Sequence, residues 1–325
     1  MAAEGGNIVR FTYTGADDEV IPDEATHIIV QARVVRARAF YEHPNIVEVI
    51  CDDDVKKIEQ YAFQICRSLR RIIMPGVKIV EHAAFNYCLA LTDVECDKLE
   101  IVKEGAFCCC RSLRNINLPS ARIVEEGAFE GCHHLTDVKF GSKLEEIEER
   151  AFCLCDCLER ITIPLKDGLI TADDLFMGCE NLNHADLVEG DLHGSIAALH
   201  LREWRHDMNE EIDSINQILP NASAGGWGDD LESEDDPGEK AQTIRRWIRA
   251  VLDKIILYQS EHRRLLNEAA TTLEVFLPND IVMEKVLPFL NLPLHIFEVG
   301  DDDVDDEDSD DEEQSSENSL GDEEE

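Results

Sequence analysis

One short pattern recurs through the first half of the chain: Ala-Phe-x-x-Cys-x-x-Leu-x-x-Ile. Its fullest copies begin at Ala62, Ala84, Ala106, Ala128 and Ala151. With two weaker copies at the ends, the phenylalanines stand at positions 40, 63, 85, 107, 129, 152 and 176, a period of 22 to 24 residues. A period of this length predicts a solenoid, in which each repeat contacts only its neighbours.

Within each copy, the segment after the cysteine alternates between apolar and polar residues. Leu113, Ile116 and Leu118 show the spacing. Alternation over this length predicts a short, half-buried β-strand. One repeat cannot bury its own apolar face, so the repeats must stack, and the phenylalanines are predicted to form one buried column. Burial of each ring is worth about 1.5–3 kcal/mol.

The pattern resembles the BspA-type leucine-rich repeat, in which C/N-x-x-L-x-x-I-x-(L/I)-P is followed by an Ala-Phe pair. The resemblance covers roughly residues 30–187. It implies an interaction scaffold with short parallel strands lining one concave side. The end copies depart from the pattern, with His43 in the cysteine position and Leu175 and Ala185 in the Ala and Ile positions. End repeats of solenoids are atypical, so these are interpreted as capping positions.

The predicted fold class is therefore α/β: a leucine-rich-repeat solenoid followed by an α-helical hairpin and a disordered acidic tail. We assign residues 1–30 to an N-terminal cap and 31–187 to about seven repeats. Residues 191–298 form the helical hairpin region, with an acidic loop at 221–240, and residues 299–325 form the tail.

Two long segments beyond the repeats have helical periodicity. Residues 195–219 form the shorter predicted helix, and a longer one runs from about Gln242 to Phe276. The apolar steps of the longer helix alternate between four and three residues, which is a heptad seam. The seam positions are Ile244, Ile248, Val251, Ile255, Tyr258, His262, Leu265, Ala269, Leu273 and Phe276. A third short helix is predicted over 281–290. The seam is expected to pack within the hairpin and on the last repeat, or alternatively to form a homodimer through residues 242–276.

Charge excludes several classes of partner. The net charge is −40 and the pI is about 4.4. Nucleic-acid backbones and anionic membranes attract clustered Lys and Arg, so neither is an expected partner. The chain lacks the apolar run of about 18 residues that a membrane span requires. Residues 1–15 lack the basic and apolar regions of a signal peptide, so a cytoplasmic or nuclear location is expected, and secretion is not.

Acidic residues concentrate in the tail. From Asp301 onward it holds sixteen Asp and Glu residues and no Lys or Arg. A segment with this composition cannot bury enough apolar surface to fold, so it is predicted to be disordered.

Twelve cysteines occur, and six of them occupy the cysteine position of the repeat: Cys66, Cys88, Cys110, Cys132, Cys155 and Cys179. They are predicted to form a buried row of reduced thiols that donate weakly to backbone carbonyls. The alternative is a metal site at 108–110 or at 153–157. Neither cluster has the C-x-x-C spacing of zinc sites. No metal and no cofactor are therefore predicted.

Catalytic motifs are missing from the sequence, which contains no phosphate-binding Gly-rich loop, H-E-x-x-H or G-x-S-x-G. The predicted function is a non-enzymatic scaffold that binds a protein or peptide on its concave surface. Two rows of outward strand residues would form that surface. Their central members are Arg71, Asp93, Asn115, Asp137 and Arg160 in one row, and Ile73, Glu95, Asn117, Lys139 and Thr162 in the other. The rows continue to Glu48, Ile50, His184 and Asp186.

Two other functions stay open on the sequence alone. The layout of leucine-rich repeats and acidic tail is similar to that of acidic proteins that shield histones, which suggests a chaperone-like binder of basic proteins. This analogy rests on architecture only. The heptad seam suggests instead a structural protein that assembles with itself.

Overall fold

A computed structural model describes residues 8–188 and 238–274, together with the isolated positions 206, 210 and 219. Fifteen strands lie in the first of these segments. In chain order they are β1 (Arg10–Tyr13), β2 (His27–Val30), β3 (Val34–Val35), β4 (Glu48–Cys51), β5 (Lys57–Ile58), β6 (Arg71–Ile73), β7 (Ile79–Val80), β8 (Asp93–Glu95), β9 (Ile101–Val102), β10 (Asn115–Leu118), β11 (Ile123–Val124), β12 (Asp137–Phe140), β13 (Glu146–Ile147), β14 (Arg160–Pro164) and β15 (His184–Val188). A 3-10 helix at Asp174–Phe176 lies between β14 and β15, and the helix α1 (Glu239–Glu274) comes after the repeats.

The strands form the parallel layers of a solenoid. The longer strands pair in the order β1-β2-β4-β6-β8 and, after an interruption, β10-β12-β14-β15. The two-residue strands pair as β13-β11-β9-β7-β5-β3. Every pair is parallel, and equivalent positions of successive repeats stand opposite each other, as Asn115 does with Asp137. The predicted solenoid of parallel strands is confirmed.

Alternation decides which side chains enter the core. In β10, Ile116 and Leu118 are buried, whereas Asn115 and Asn117 are exposed. Successive side chains of a strand point to opposite faces, so an alternating sequence buries one face and presents the other to solvent. We call the outward face of the longer strands the concave face.

The repeat phenylalanines form a single stacked column through the core. Neighbouring ring centroids lie 4.7 to 6.0 Å apart, with interplanar angles of 16° or less. The members, all buried, are Phe40, Phe63, Phe85, Phe107, Phe129, Phe152 and Phe176. Tyr13 packs edge-on against Phe40 at 5.1 Å and extends the aromatic column toward the N-terminus. The predicted buried column is confirmed.

Left-handed backbone brackets the phenylalanines of several repeats. Around Phe85, Ala83 has φ 51° and Tyr87 has φ 59°. The same pair of positions has positive φ around Phe63, where one of them is the β-branched Ile65 at 63°. Such a conformation costs an L-residue roughly 1–2 kcal/mol. Hydrogen bonds between stacked repeats stabilise this conformation, because the N–H groups of Ala83 and Tyr87 each donate to a carbonyl of the next repeat, at 3.0 and 2.9 Å.

Residues assigned to the N-terminal cap also contribute strands. β1 and β2 pair in register with the longer-strand sheet, so the sheet begins before the recognisable repeats. His43 is buried and places Nε2 3.0 Å from the carbonyl oxygen of Pro22, where the central repeats use a cysteine thiol. At the other end, Leu175 and Ala185 are buried like the residues that they replace.

The helix α1 begins three residues earlier than predicted, at Glu239, and is described as far as Glu274. Its buried seam positions are Ile244, Ile248, Val251, Ile255 and Leu265. The first turn of the helix lies on the last repeat, where Lys240 donates to the carbonyls of Cys179 and Glu180 at 2.5 and 3.1 Å, and Arg245 pairs with Asp173. The predicted packing of this helix on the last repeat is confirmed. Pairing with a second copy stays a prediction.

Several predicted segments lie outside the described residues. They are the shorter helix at 195–219 except for positions 206, 210 and 219, most of the acidic loop at 221–240, the third helix at 281–290 and the tail at 299–325. Within the described part of the chain, no helix combines the length and apolarity that crossing a membrane requires.

Candidate interaction surface

The two predicted rows are stacked on the concave face. Within each of the two sheets, the members of a row stand opposite each other, for example Arg71 with Asp93 and Ile73 with Glu95. Every central member of both rows is exposed or half-buried. The register of the rows is therefore as predicted, and whether they contact a partner stays a prediction.

The structure lengthens both rows at the N-terminal end. His27 stands opposite Glu48, and Ile29 stands opposite Ile50. The sequence analysis missed these two residues because β2 precedes the first Ala-Phe pair. The available signal was the short β-branched run His-Ile-Ile-Val, which lies inside the predicted cap and outside the recognisable repeats.

Three isoleucines form an outward apolar stripe at this end of the face. Ile29, Ile50 and Ile73 are opposite one another in three adjacent strands. Ile50 is 37% exposed, and the other two are half-buried. The inward residues of the same strands already supply the core, so the stripe is additional apolar surface facing solvent.

Ion pairs organise the charged residues beside the stripe. Arg71 lies 2.6 Å from Glu95 and 3.7 Å from Glu48, and Glu95 raises the pKa of the Arg71 guanidinium above its ordinary value. Further along the face, Arg160 pairs with Asp186 at 2.6 Å. Exposed pairs of this kind contribute at most about 1 kcal/mol each. Their main effect is to hold the long side chains in defined positions across neighbouring strands.

The concave ladder is interrupted between β8 and β10. The five-stranded and four-stranded sheets meet there, and Val94 of β8 is only half-buried, whereas Ile72 and Ile116 at the equivalent positions are buried. The apolar stripe lies in the five-stranded sheet. The first strand of the four-stranded sheet, β10, presents the asparagines Asn115 and Asn117.

Below the surface, the thiols of the repeat form the predicted buried row. Each sulfur donates to the carbonyl oxygen of the phenylalanine in the preceding repeat, at 2.9 to 3.2 Å. Burial raises the pKa of Cys66 to about 12 and that of Cys88 well above its ordinary value. These neutral, unreactive thiols therefore join successive repeats through hydrogen bonds.

The two cysteine clusters do not converge on one point. Cys110 and Cys155 belong to the buried row, two repeats apart, while the sulfurs of Cys108 and Cys109 lie 3.7 Å from each other and are half-buried. Burial raises the pKa of Cys108 to about 12. In the described residues, no group of three or more His, Cys, Asp or Glu side chains is arranged to hold a metal ion.

Thiol accessibility tests this arrangement. All twelve cysteines are free, and only Cys108, Cys109 and Cys157 are more than slightly exposed. Because thiolate is the reactive form and burial disfavours it, we expect at most three thiols to react rapidly with a disulfide reagent at pH 8. Twelve should react in denaturant without reductant. Rapid reaction of six or more thiols in the native chain would contradict the buried row.

One polar pair was not foreseen from the sequence. His133 Nδ1 lies 2.9 Å from Asp156 Oδ2 in the turns of adjacent repeats, and His134 Nδ1 lies 2.7 Å from the carbonyl oxygen of Arg111. Both histidines thus contact the turn of a neighbouring repeat, as Ser112 does through its hydroxyl donation to the carbonyl of Leu89. These contacts join the turns of neighbouring repeats.

Comparisons with known proteins identify the repeat. The sequence profile for the BspA type leucine rich repeat region, present in six copies, matches residues 33–123 and 100–193. Among solved structures, a leucine-rich repeat protein from Bacteroides ovatus is 22% identical, with coverage of 56% of this chain and 43% of that one and a TM-score of 0.41. A leucine-rich repeat protein from Eubacterium ventriosum is 24% identical, with coverage of 41% of this chain and 35% of that one and a TM-score of 0.34. The T. pallidum leucine rich repeat protein is 24% identical, with coverage of 57% of this chain and 71% of that one and a TM-score of 0.34.

The matched region of this chain thus spans less than half the length of the first two of these proteins. A search of curated proteins finds no match. The profile matches the repeat itself. Residues 33–193 of this chain therefore form BspA-type leucine-rich repeats.

Proposed function

We propose that this protein is a non-enzymatic interaction scaffold whose concave face binds a protein or peptide. The observation that carries the proposal is the outward apolar stripe of Ile29, Ile50 and Ile73, aligned across three adjacent strands and flanked by charged side chains. Protein interfaces commonly combine an apolar centre with a polar rim. The stripe and the charged row beside it have this arrangement.

The rigidity of the repeats supports the same function. The outward residues stand on strands that are hydrogen-bonded to their neighbours, and Arg71 is held between Glu48 and Glu95. A preorganised surface loses less conformational entropy on binding than a flexible one. An apolar side chain of the partner would cover Ile50 and Ile73, and polar groups of the partner would contact the flanking row.

Replacement of both isoleucines tests the proposal. Peptides selected by display against the purified full chain would be measured for affinity against an Ile50→Asp, Ile73→Asp variant. Truncation of a central interface contact commonly costs more than 1 kcal/mol. We therefore expect Kd to rise at least tenfold, because the charges replace the apolar centre.

The matched control carries Ile8→Asp and Val20→Asp, which change two exposed apolar residues elsewhere, at 58% and 82% exposure. This control should keep Kd within about twofold, and both variants should keep the thermal midpoint of the parent. Retention of affinity by the Ile50, Ile73 variant would show that the peptides bind another surface.

The alternative of a chaperone-like binder of basic proteins depends on the acidic tail. Its sixteen acidic residues supply strong charge complementarity for a basic partner. The tail lies outside the described residues, so this alternative rests on the charge of the sequence. A pull-down with histones that is lost when the chain is cut at Gly300 would favour it.

A further inference from the structure

Four exposed arginines lie in the turns that lead into the concave strands. Arg67 and Arg70 precede β6, and Arg111 and Arg114 precede β10 at the equivalent positions two repeats later. We call these four residues the arginine ridge. They are separate from the rows of the concave face, so a ligand could bind to them whether or not the concave face binds a partner.

Hydrogen bonds between turns fix the geometry of the ridge. The turn between the two arginine pairs, Leu89–Thr92, is joined to both of them: the Thr92 amide donates to the Arg70 carbonyl at 2.9 Å, and the Ser112 hydroxyl donates to the Leu89 carbonyl at 2.7 Å. In the same three repeats, the ring centroids of Phe63, Phe85 and Phe107 follow one another at 5.2 and 5.1 Å. The two arginine pairs are therefore about 10 Å apart along the solenoid.

The ridge differs from other arginines of the repeats in its lack of acidic partners. Among the described residues, none of its four arginines has a carboxylate within salt-bridge distance, whereas Arg71, Arg122 and Arg160 each pair with one. The intervening turn Leu89–Thr92 carries no charge. The carboxylate that follows this turn, Asp93, accepts a hydrogen bond from the Thr92 hydroxyl at 2.7 Å.

Four arginines without a carboxylate at salt-bridge distance are unexpected in a chain with a net charge of −40. At an ionic strength of 0.1 M, charges more than about 10 Å away are largely screened, so a ligand on the ridge experiences mainly these arginines and nearby residues such as Asp93. Guanidinium groups favour carboxylates, which they bind through two parallel hydrogen bonds. The ridge thus fits an anionic ligand of about 10 Å or longer.

We propose that the arginine ridge binds an acidic segment of a protein partner, extended across the repeats. A peptide in the polyproline II conformation has three residues per turn and rises about 3.1 Å per residue, so carboxylates at i and i+3 lie on one face about 9 Å apart. That separation matches the distance between the two arginine pairs. The recognised chemistry is an Asp- or Glu-containing segment in the polyproline II conformation, with acidic residues at i and i+3.

The test uses the full chain and a fluorescent ten-residue peptide with Glu at positions 1, 4, 7 and 10 and neutral residues between. Fluorescence anisotropy at 50 mM salt should show binding that weakens as salt rises, and a peptide with Gln in place of Glu should not bind. In the variant with Arg67→Gln, Arg70→Gln, Arg111→Gln and Arg114→Gln, the affinity should fall at least tenfold.

The matched control removes four other positive charges, each of which already has an acidic partner. It carries Arg36→Gln, Lys57→Gln, Lys78→Gln and Arg122→Gln. Its affinity should stay within about threefold of the parent, and circular dichroism should show the parent fold in both variants. An equal loss in both variants, or no loss in the ridge variant, overturns the proposal. Tighter binding of a ten-nucleotide single-stranded DNA than of the peptide also overturns it, since the ridge would then be a nucleic-acid site.

Discussion

The substitution Phe107→Ala is expected to lower the free energy of unfolding by about 3–5 kcal/mol. The ring is fully buried, and its centroid lies 5.1 Å from that of Phe85 and 5.3 Å from that of Phe129. Alanine would leave a cavity in the middle of the column and remove two stacked aromatic contacts. Since most domains are stable by about 5–15 kcal/mol, this single change would remove a large part of the total.

Urea denaturation, followed by circular dichroism, measures the loss. Tyr87→Ala is the matched control, because it removes an exposed aromatic ring from a neighbouring position of the same solenoid and should cost less than about 1 kcal/mol. Hydrogen exchange should also become faster first in the repeats next to Phe107, since each repeat contacts only its neighbours. A loss below about 1 kcal/mol for Phe107→Ala would mean that the column does not carry the stability of the repeats.

The second large effect is expected at Gly76→Ala, through steric overlap with the preceding repeat. A Cβ at this position would lie 2.0 Å from the carbonyl oxygen of Asp53 and 2.9 Å from that of Val55. Both contacts are with backbone, which cannot rotate away as a side chain can. We expect a loss of about 3 kcal/mol, the upper end of the usual cost of overpacking.

Ser120→Ala is the control for this substitution, because Ser120 follows Pro119 as Gly76 follows Pro75. Ser120→Ala should change the free energy of unfolding by less than about 0.5 kcal/mol. Equal stability of the two variants in thermal and urea unfolding would contradict the overlap.

Much of the fold could be predicted because the repeat specifies the same contacts many times. Each copy places phenylalanine, cysteine and alternating apolar residues at fixed offsets, so the column, the thiol row and the strand register follow from one alignment of the copies. Where the pattern is weak, prediction was less complete. His27 and Ile29 were missed because a four-residue strand outside a recognisable copy has no periodicity to identify it.

The candidate surface could also be predicted only in part. The sequence alone identified the outward rows that include Arg71 and Asn115, since outward positions follow from alternation. It did not identify the arginine ridge, because a sequence does not show which arginines lie close to a carboxylate. Only the distances between side chains distinguish Arg122, which pairs with Glu145, from Arg111, which has no acidic partner among the described residues.

The solenoid, its core and its register could be predicted because they depend on periodicity and on the burial of apolar side chains. Which groups meet across repeats is seen only in the folded chain. Ile65 adopts a left-handed backbone that its own side chain disfavours, and its N–H donates to the carbonyl of Asn86 at 2.8 Å. Lys240 is buried because two carbonyls of the last repeat accept hydrogen bonds from its ammonium group. Such contacts join residues that lie far apart along the chain, so local sequence patterns do not predict them.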